Sequence, residues 1–310
     1  MKHNICLEHS EGFYGCYLPA LKTNAAIILT VDDSADDFLA KAGIKWIQSM
    51  GISALSVSPN KQTKGLHSWP LEHVEKAVGY LKKKGYGKLG IAGISAGSNI
   101  ALNAASRIPD ITLTIALTPV DYVLWGYLQD GLDGSRERPA EGESAFTWRG
   151  EPVPCMPAPY RHPEYWEAAV KEKKRRGDLT AARNLFDEAE NRHPVTELEV
   201  IPVENIKGYL FLAGSEDDVL WDTCRSIRRM QSRIEKANSE CRVEAHTYEH
   251  CTHFIFPETM LAKMIPGFLG RLVLPVVFKE AKGYARECKH TRMDVDQRIK
   301  VLIERWDSES

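Results

Sequence analysis

The stretch LGIAGISAGSNIAL, residues 89–102, places a lone serine between two glycines where an apolar run gives way to a helical one. Residues 89–94 read as a short buried strand, and 98–107 carry Ile, Ala and Leu at helical spacing. Ser95 falls at the joint, with Gly93 and Gly97 beside it. So tight a passage from strand to helix commits the chain to layers in which helices cover a sheet.

The rest of the sequence extends the pattern. Residues 25–31, 52–57, 112–117, 209–213 and 242–248 read as further strands. Residues 38–50 read as a helix stopped by Gly51. Residues 68–85 read as another, with Ser68 as its cap, Pro70 in its first turn, and lysines and Gly85 at its end. Such alternation predicts an α/β fold, with a mostly parallel central sheet and helices on both faces. Residues 118–208 are too long for a simple crossover and are expected to form a lid or cap insertion. Its first part is rich in Pro and Trp, and helices are expected from 164 to about 191. Residues 271–310 are expected to form a C-terminal helical tail, amphipathic from 286 to 306, within a single domain spanning 1–310.

Charge narrows the function classes. Forty Lys and Arg stand against 42 Asp and Glu, a net charge of -2, so no basic field attracts nucleic acid. No apolar stretch approaches the ~20 residues of a membrane span. The N-terminal residues are not expected to be a signal peptide, and the seven cysteines form no C-x-x-C pair. They are expected as reduced thiols in a cytoplasmic protein. Composition sets no oligomeric state.

A serine hydroxyl is a poor nucleophile until a base takes its proton. A sharp strand-turn-helix lifts Oγ out of the sheet and aims the next amide, that of Ala96, at a developing oxyanion. An acid and a base are then expected in the order Ser, Asp, His, each after a later strand. Residues 209–213 run into GSEDDVLW, which offers Asp217 or Asp218. Residues 242–248 run into YEHCTHFIFPE, which offers His250 or His253. Those two histidines lack a third metal ligand at useful spacing and the glutamate of H-E-x-x-H. No metal or organic cofactor is expected.

Five ordered segments carry a resemblance: WPLEHVEKAVGYL, KLGIAGISAGSNIALNAA, FTWRGEPVPCMP, IPVENIKGYLFLAGSEDDVLW and YEHCTHFIFP. Over residues 25–270 the chain resembles bacterial stand-alone members of the acyl-CoA thioesterase / bile acid-CoA:amino acid N-acyltransferase C-terminal domain family. These are α/β-hydrolases related to dienelactone hydrolases. The resemblance implies Ser95 as nucleophile and His253 as base, with His250 a bystander. It implies Asp218 as the acid, three residues before Trp221, with Asp217 as the alternative. Where relatives carry a glycine-rich turn after the first strand, this chain has VDDSADD, residues 31–37. The second oxyanion amide is therefore assigned to Asp32 or Asp33.

The implied activity is serine hydrolysis of a small-molecule ester or thioester through an acyl-enzyme, with neither nucleic acid nor membrane as partner. The alternatives are acyl transfer to an amine, for which the family's transferases use cysteine, and non-catalytic binding. Trp125, Trp148 and Trp166 are candidates for the acyl pocket. KEKKRRGD, residues 171–178, could grip the phosphates of CoA, whereas Asp32, Asp33, Asp36 and Asp37 would repel them.

Overall fold

The computed structural model describes residues 5–7, 11–21, 23–59, 65–128, 139, 142–157, 167, 171, 174, 181–265 and 283–309. Eight strands make the main sheet, numbered along the chain. They are β1 (Ile5–Leu7), β2 (Tyr14–Leu18), β3 (Ala25–Thr30), β4 (Ser53–Ser58), β5 (Lys88–Ile94), β6 (Ile111–Leu117), β7 (Tyr209–Ser215) and β8 (Arg242–Tyr248). Their order across the sheet is β1-β2-β4-β3-β5-β6-β7-β8. From β4 to β8 every neighbour is parallel, and β1 and β2 add an antiparallel edge.

That edge was not legible in the sequence, which places the first strand at 25. Residues 14–18 are all buried, so they lack the alternation that reveals a half-exposed strand. Cys16 is disulfide-bonded, which corrects the expectation that every cysteine is a reduced thiol. The hairpin brings Cys16 into register with Cys6 across β1 and β2, a pairing that spacing motifs do not encode. Cys155, Cys224, Cys241, Cys251 and Cys288 are free.

Successive strand residues point to opposite faces, and the core divides accordingly. Ala26, Ile28, Leu89, Ile91, Leu210 and Leu212 pack with α2 (Glu72–Lys83), α3 (Ala96–Ala105) and α5 (Thr223–Lys236). Ile27, Leu29, Leu113, Ile115, Phe211 and Ala213 pack with α1 (Phe38–Ser49), α6 (Glu258–Met264) and α7 (Ala285–Ser308). Both faces are covered, as a parallel sheet requires. The tail helix is thus part of the core: Trp46 Nε1 donates to Asp296 on α7 at 3.0 Å and Trp306 Nε1 to Thr112 at 2.9 Å. Among the described residues no helix is long and apolar enough to cross a membrane.

The insertion departs from expectation near its base. Residues Trp69–Pro70 form a short strand parallel to Phe146–Trp148, and α2 starts only at Glu72. Ser68, expected as a cap, instead donates its amide to Ser144 at 2.9 Å, and Leu71 donates to Thr147 at 3.0 Å. The insertion has claimed the donors that a first helical turn would leave open. Gly65–Leu66 and Tyr127–Leu128 make a second small sheet. Of the helices expected from 164 to about 191, residues 167, 171 and 174 are helical and α4 spans Arg183–Arg192.

Candidate active site

Ser95 connects β5 to α3 at φ 57° and ψ -127°, a conformation that costs a non-glycine residue about 1–3 kcal/mol. Its surroundings hold it there. The Ser95 amide donates to Leu117 at 2.9 Å, tying the turn to β6. The Ser95 carbonyl accepts from the Ser98 amide at 2.9 Å and the Ser98 hydroxyl at 2.6 Å. The flanking glycines answer to space. A Cβ on Gly93 would lie 2.1 Å from the Gly97 carbonyl oxygen, and one on Gly97 would lie 2.3 Å from that of Thr30. Thr30 Oγ1 then donates to the Gly97 carbonyl at 2.7 Å. The serine is fixed between two backbones packed too closely for any side chain.

Two loops bring acids and histidines to this turn. After β7, the Asp218 amide turns back onto the Ser215 carbonyl at 3.1 Å. Ser215 Oγ donates to the Cys251 carbonyl at 3.2 Å, joining the acid loop to the one after β8. His253 Nδ1 lies 2.9 Å from both oxygens of Asp218, and His253 Nε2 lies 2.8 Å from Ser95 Oγ. Both side chains of the Asp–His pair are fully buried. Asp218 also accepts from the Leu220 amide at 2.9 Å, the Trp221 amide at 3.4 Å and the Thr223 hydroxyl. The ring of Trp221 meets His253 edge-on at 4.9 Å, and Phe254 packs against it at 4.9 Å.

Asp217 and His250 form a second pair. His250 Nδ1 lies 2.8 Å from Asp217 Oδ2. Its ring stacks on Tyr284 with centroids 3.6 Å apart, and its carbonyl accepts from Thr291 Oγ1 on α7 at 2.8 Å. Nε2 of His250 has Glu249 at 3.6 Å. The hydrogen bond His250 makes to Asp217 raises the His250 pKa above the ordinary histidine value. The two histidines are turned to different aspartates, so they do not share a ligand position.

The acid-rich loop after β3 sorts into separate tasks. Val31 donates its amide to Val57 at 3.1 Å, so the first candidate oxyanion amide falls at Asp32. The Asp32 carbonyl accepts from the Gly65 amide at 3.1 Å, and its carboxylate accepts from the Tyr127 hydroxyl at 2.8 Å. Burial pushes the Asp32 carboxyl above its usual range, against the Tyr127 hydrogen bond and with Asp33 adding to the rise. Asp36 accepts from Ser34, and Asp37 caps α1 by accepting from the Ala40 amide at 2.8 Å. Ala96 opens α3 and is buried beside Ser95.

Of the aromatic candidates, Trp125 is buried and stacks on Phe186, which meets Trp221 edge-on. Trp148 is half-buried, with the Arg149 guanidinium 4.3 Å over its ring. Trp166 and most of residues 171–178 lie outside the described residues. Sequence reading missed Thr223 and Tyr127. Thr223 follows Asp218 by five positions, at the start of a helix capped by Asp222, and nothing in that spacing marks it as an acid's partner. Tyr127 reaches Asp32 across 95 positions of sequence.

No curated protein matches the chain. Among solved structures, a sugar hydrolase (YeeB) from Lactococcus lactis aligns with a TM-score of 0.51 at 12% identity, over 93% of this chain and 100% of that one. An esterase of Pyrococcus furiosus aligns with a TM-score of 0.49 at 15% identity, over 91% and 90%. An α/β hydrolase from a Medee basin deep-sea metagenome library gives 0.49 at 14%, over 90% and 96%. The chain has the α/β-hydrolase fold, and its residues 160–260 match the family described as BAAT / Acyl-CoA thioester hydrolase C terminal.

Proposed function

We propose that this protein hydrolyses a small-molecule ester or thioester through a Ser-His-Asp triad and an acyl-enzyme. The observation that carries the reading is the chain from a half-buried Ser95 Oγ to the buried His253 Nε2 at 2.8 Å and from His253 Nδ1 to Asp218 at 2.9 Å. With the Nδ1 proton donated to Asp218, Nε2 presents its lone pair to the serine hydroxyl. His253 takes the Ser95 proton as Oγ attacks the carbonyl carbon. The oxyanion is held by the amide of Ala96 and that of Asp32 or Asp33. His253 then passes the proton to the departing alcohol or thiol, and the acyl group stays on Ser95. A water, deprotonated by the same histidine, releases the acid and restores the serine. No step calls for a metal or organic cofactor.

Serine at the nucleophile's position favours water over an amine as acceptor. The family match supports a thioester among the candidate substrates. The insertion reaches the sheet at its carboxyl edge, where α/β sheets bind ligands, and we assign it the choice of acyl group.

The test is a panel of p-nitrophenyl esters beside acyl-CoA thioesters of several chain lengths, assayed with and without an added amine. Free acid formed at a rate independent of the amine supports the reading. Conjugate that grows with amine concentration would replace hydrolysis by transfer, and no turnover on any member would leave a binding protein.

A further inference from the structure

The Asp32 loop is tied to the insertion. Its main-chain carbonyl is gripped by Gly65 and its carboxylate by Tyr127. Those two residues belong to strands that pair with each other, with Gly65 opposite Leu128 and Leu66 opposite Tyr127. The three segments therefore close a ring: Asp32 to Gly65, Gly65 to the 127–128 strand, and Tyr127 back to Asp32. On its other side the loop continues from Thr30, whose hydroxyl donates to Gly97 two residues beyond Ser95 and whose carbonyl closes against the Gly97 α-carbon. The loop is bracketed by the serine turn and by the insertion.

Relatives are expected to build this loop from glycines, whereas here acids stand in it. An acid side chain in this loop needs a hydrogen-bond donor if it is to help hold the loop in one conformation. The Tyr127 hydroxyl supplies one.

We infer that Tyr127 is a positioning residue for the reaction, holding the Asp32 loop so that its backbone amide meets the oxyanion. This rests on the Ser95 reading above. Tyr127 acts through Asp32. The insertion that selects substrate thereby also sets oxyanion geometry, and the two functions are coupled through one hydroxyl.

Tyr127→Phe removes that hydroxyl and keeps the ring. The expected result is a kcat about tenfold lower with KM nearly unchanged. The affinity for a trifluoromethyl ketone analogue of the best substrate should fall by the same factor, because that analogue forms the oxyanion. Asp32→Ala should lose more than Asp32→Asn, which keeps an accepting oxygen. Melting temperature and far-UV circular dichroism of each variant separate positioning from unfolding. Wild-type kcat in a folded Tyr127→Phe protein, or a loss carried by KM alone, overturns the inference. So does equal loss in the two Asp32 variants. Labelling by a fluorophosphonate keeps the two readings apart. A wild-type protein that is not labelled at Ser95 sinks the hydrolase reading, whereas equal labelling rates of wild type and Tyr127→Phe sink this inference alone.

Discussion

Asp217 and Asp218 are neighbours in sequence, and each holds a histidine from the same loop after β8. Distance does not separate the pairs, since Nδ1 lies 2.8 Å from the acid in one and 2.9 Å in the other. They differ in their surroundings. His253 is sealed between Trp221 and Phe254, and its second nitrogen meets a serine hydroxyl. His250 is partly exposed and stacked on Tyr284 at the entrance to α7, with Glu249 at its second nitrogen. Consecutive side chains diverge, so one aspartate enters the sheet's crevice and the other serves the surface. An acid-histidine contact is therefore not by itself a mark of catalysis. What sits at the far nitrogen decides, and at His250 the pair fastens α7 to the loop that carries His253.

Substitutions at the inner chain should break the comparison most strongly. Ser95→Ala and His253→Gln are each expected to lower turnover by on the order of 10⁴-fold or more while the fold stays intact. Steady-state rates on the best ester, with melting curves, check this. Asp218→Asn should cost about 10³- to 10⁴-fold, because an amide presents the wrong partner to the Nδ1 proton. Thr223→Val sharpens the picture at the next level. It removes one donor to Asp218 while leaving the amides of Leu220 and Trp221, and about a tenfold loss in kcat is expected.

At the outer pair the effects should be small. Asp217→Asn and His250→Gln should each keep at least about a tenth of the wild-type rate. The outer pair should instead appear in stability. Asp217 raises the His250 pKa, so folding favours the charged imidazole. That contribution is fully present below the unfolded histidine pKa of about 6.5 and fades as pH rises through the raised folded value. The melting-temperature gap between wild type and Asp217→Asn should accordingly shrink as pH rises through that raised value. A gap that widens with pH would contradict the pairing.

The sequence spoke most clearly where local geometry is forced. The glycines beside Ser95 were legible because close backbone contact leaves no other residue, and six strands were legible because each is a run bounded by turn residues. The inner acid could be separated from the outer only by its register with Trp221, whose ring does lie against His253. Elements made by long-range partners were silent. The seating of the β1–β2 edge on β4, the strand at Trp69–Pro70 in place of a capped helix start, and the Tyr127 contact with Asp32 all depend on segments far away in the chain. Ser68 shows how such a contact overrides local preference, since its amide is taken by Ser144 before a helix can begin.

The central claim is that Ser95 is activated by the inner pair alone. It is tested most directly by mapping the adduct of a fluorophosphonate by mass spectrometry and timing its formation in wild type, Asp217→Asn and Asp218→Asn. The account predicts a single adduct on Ser95, formed in Asp217→Asn at close to the wild-type rate and in Asp218→Asn at least about 100-fold more slowly. An adduct on another residue, no adduct at all, or a rate that falls with Asp217→Asn and survives Asp218→Asn would contradict it.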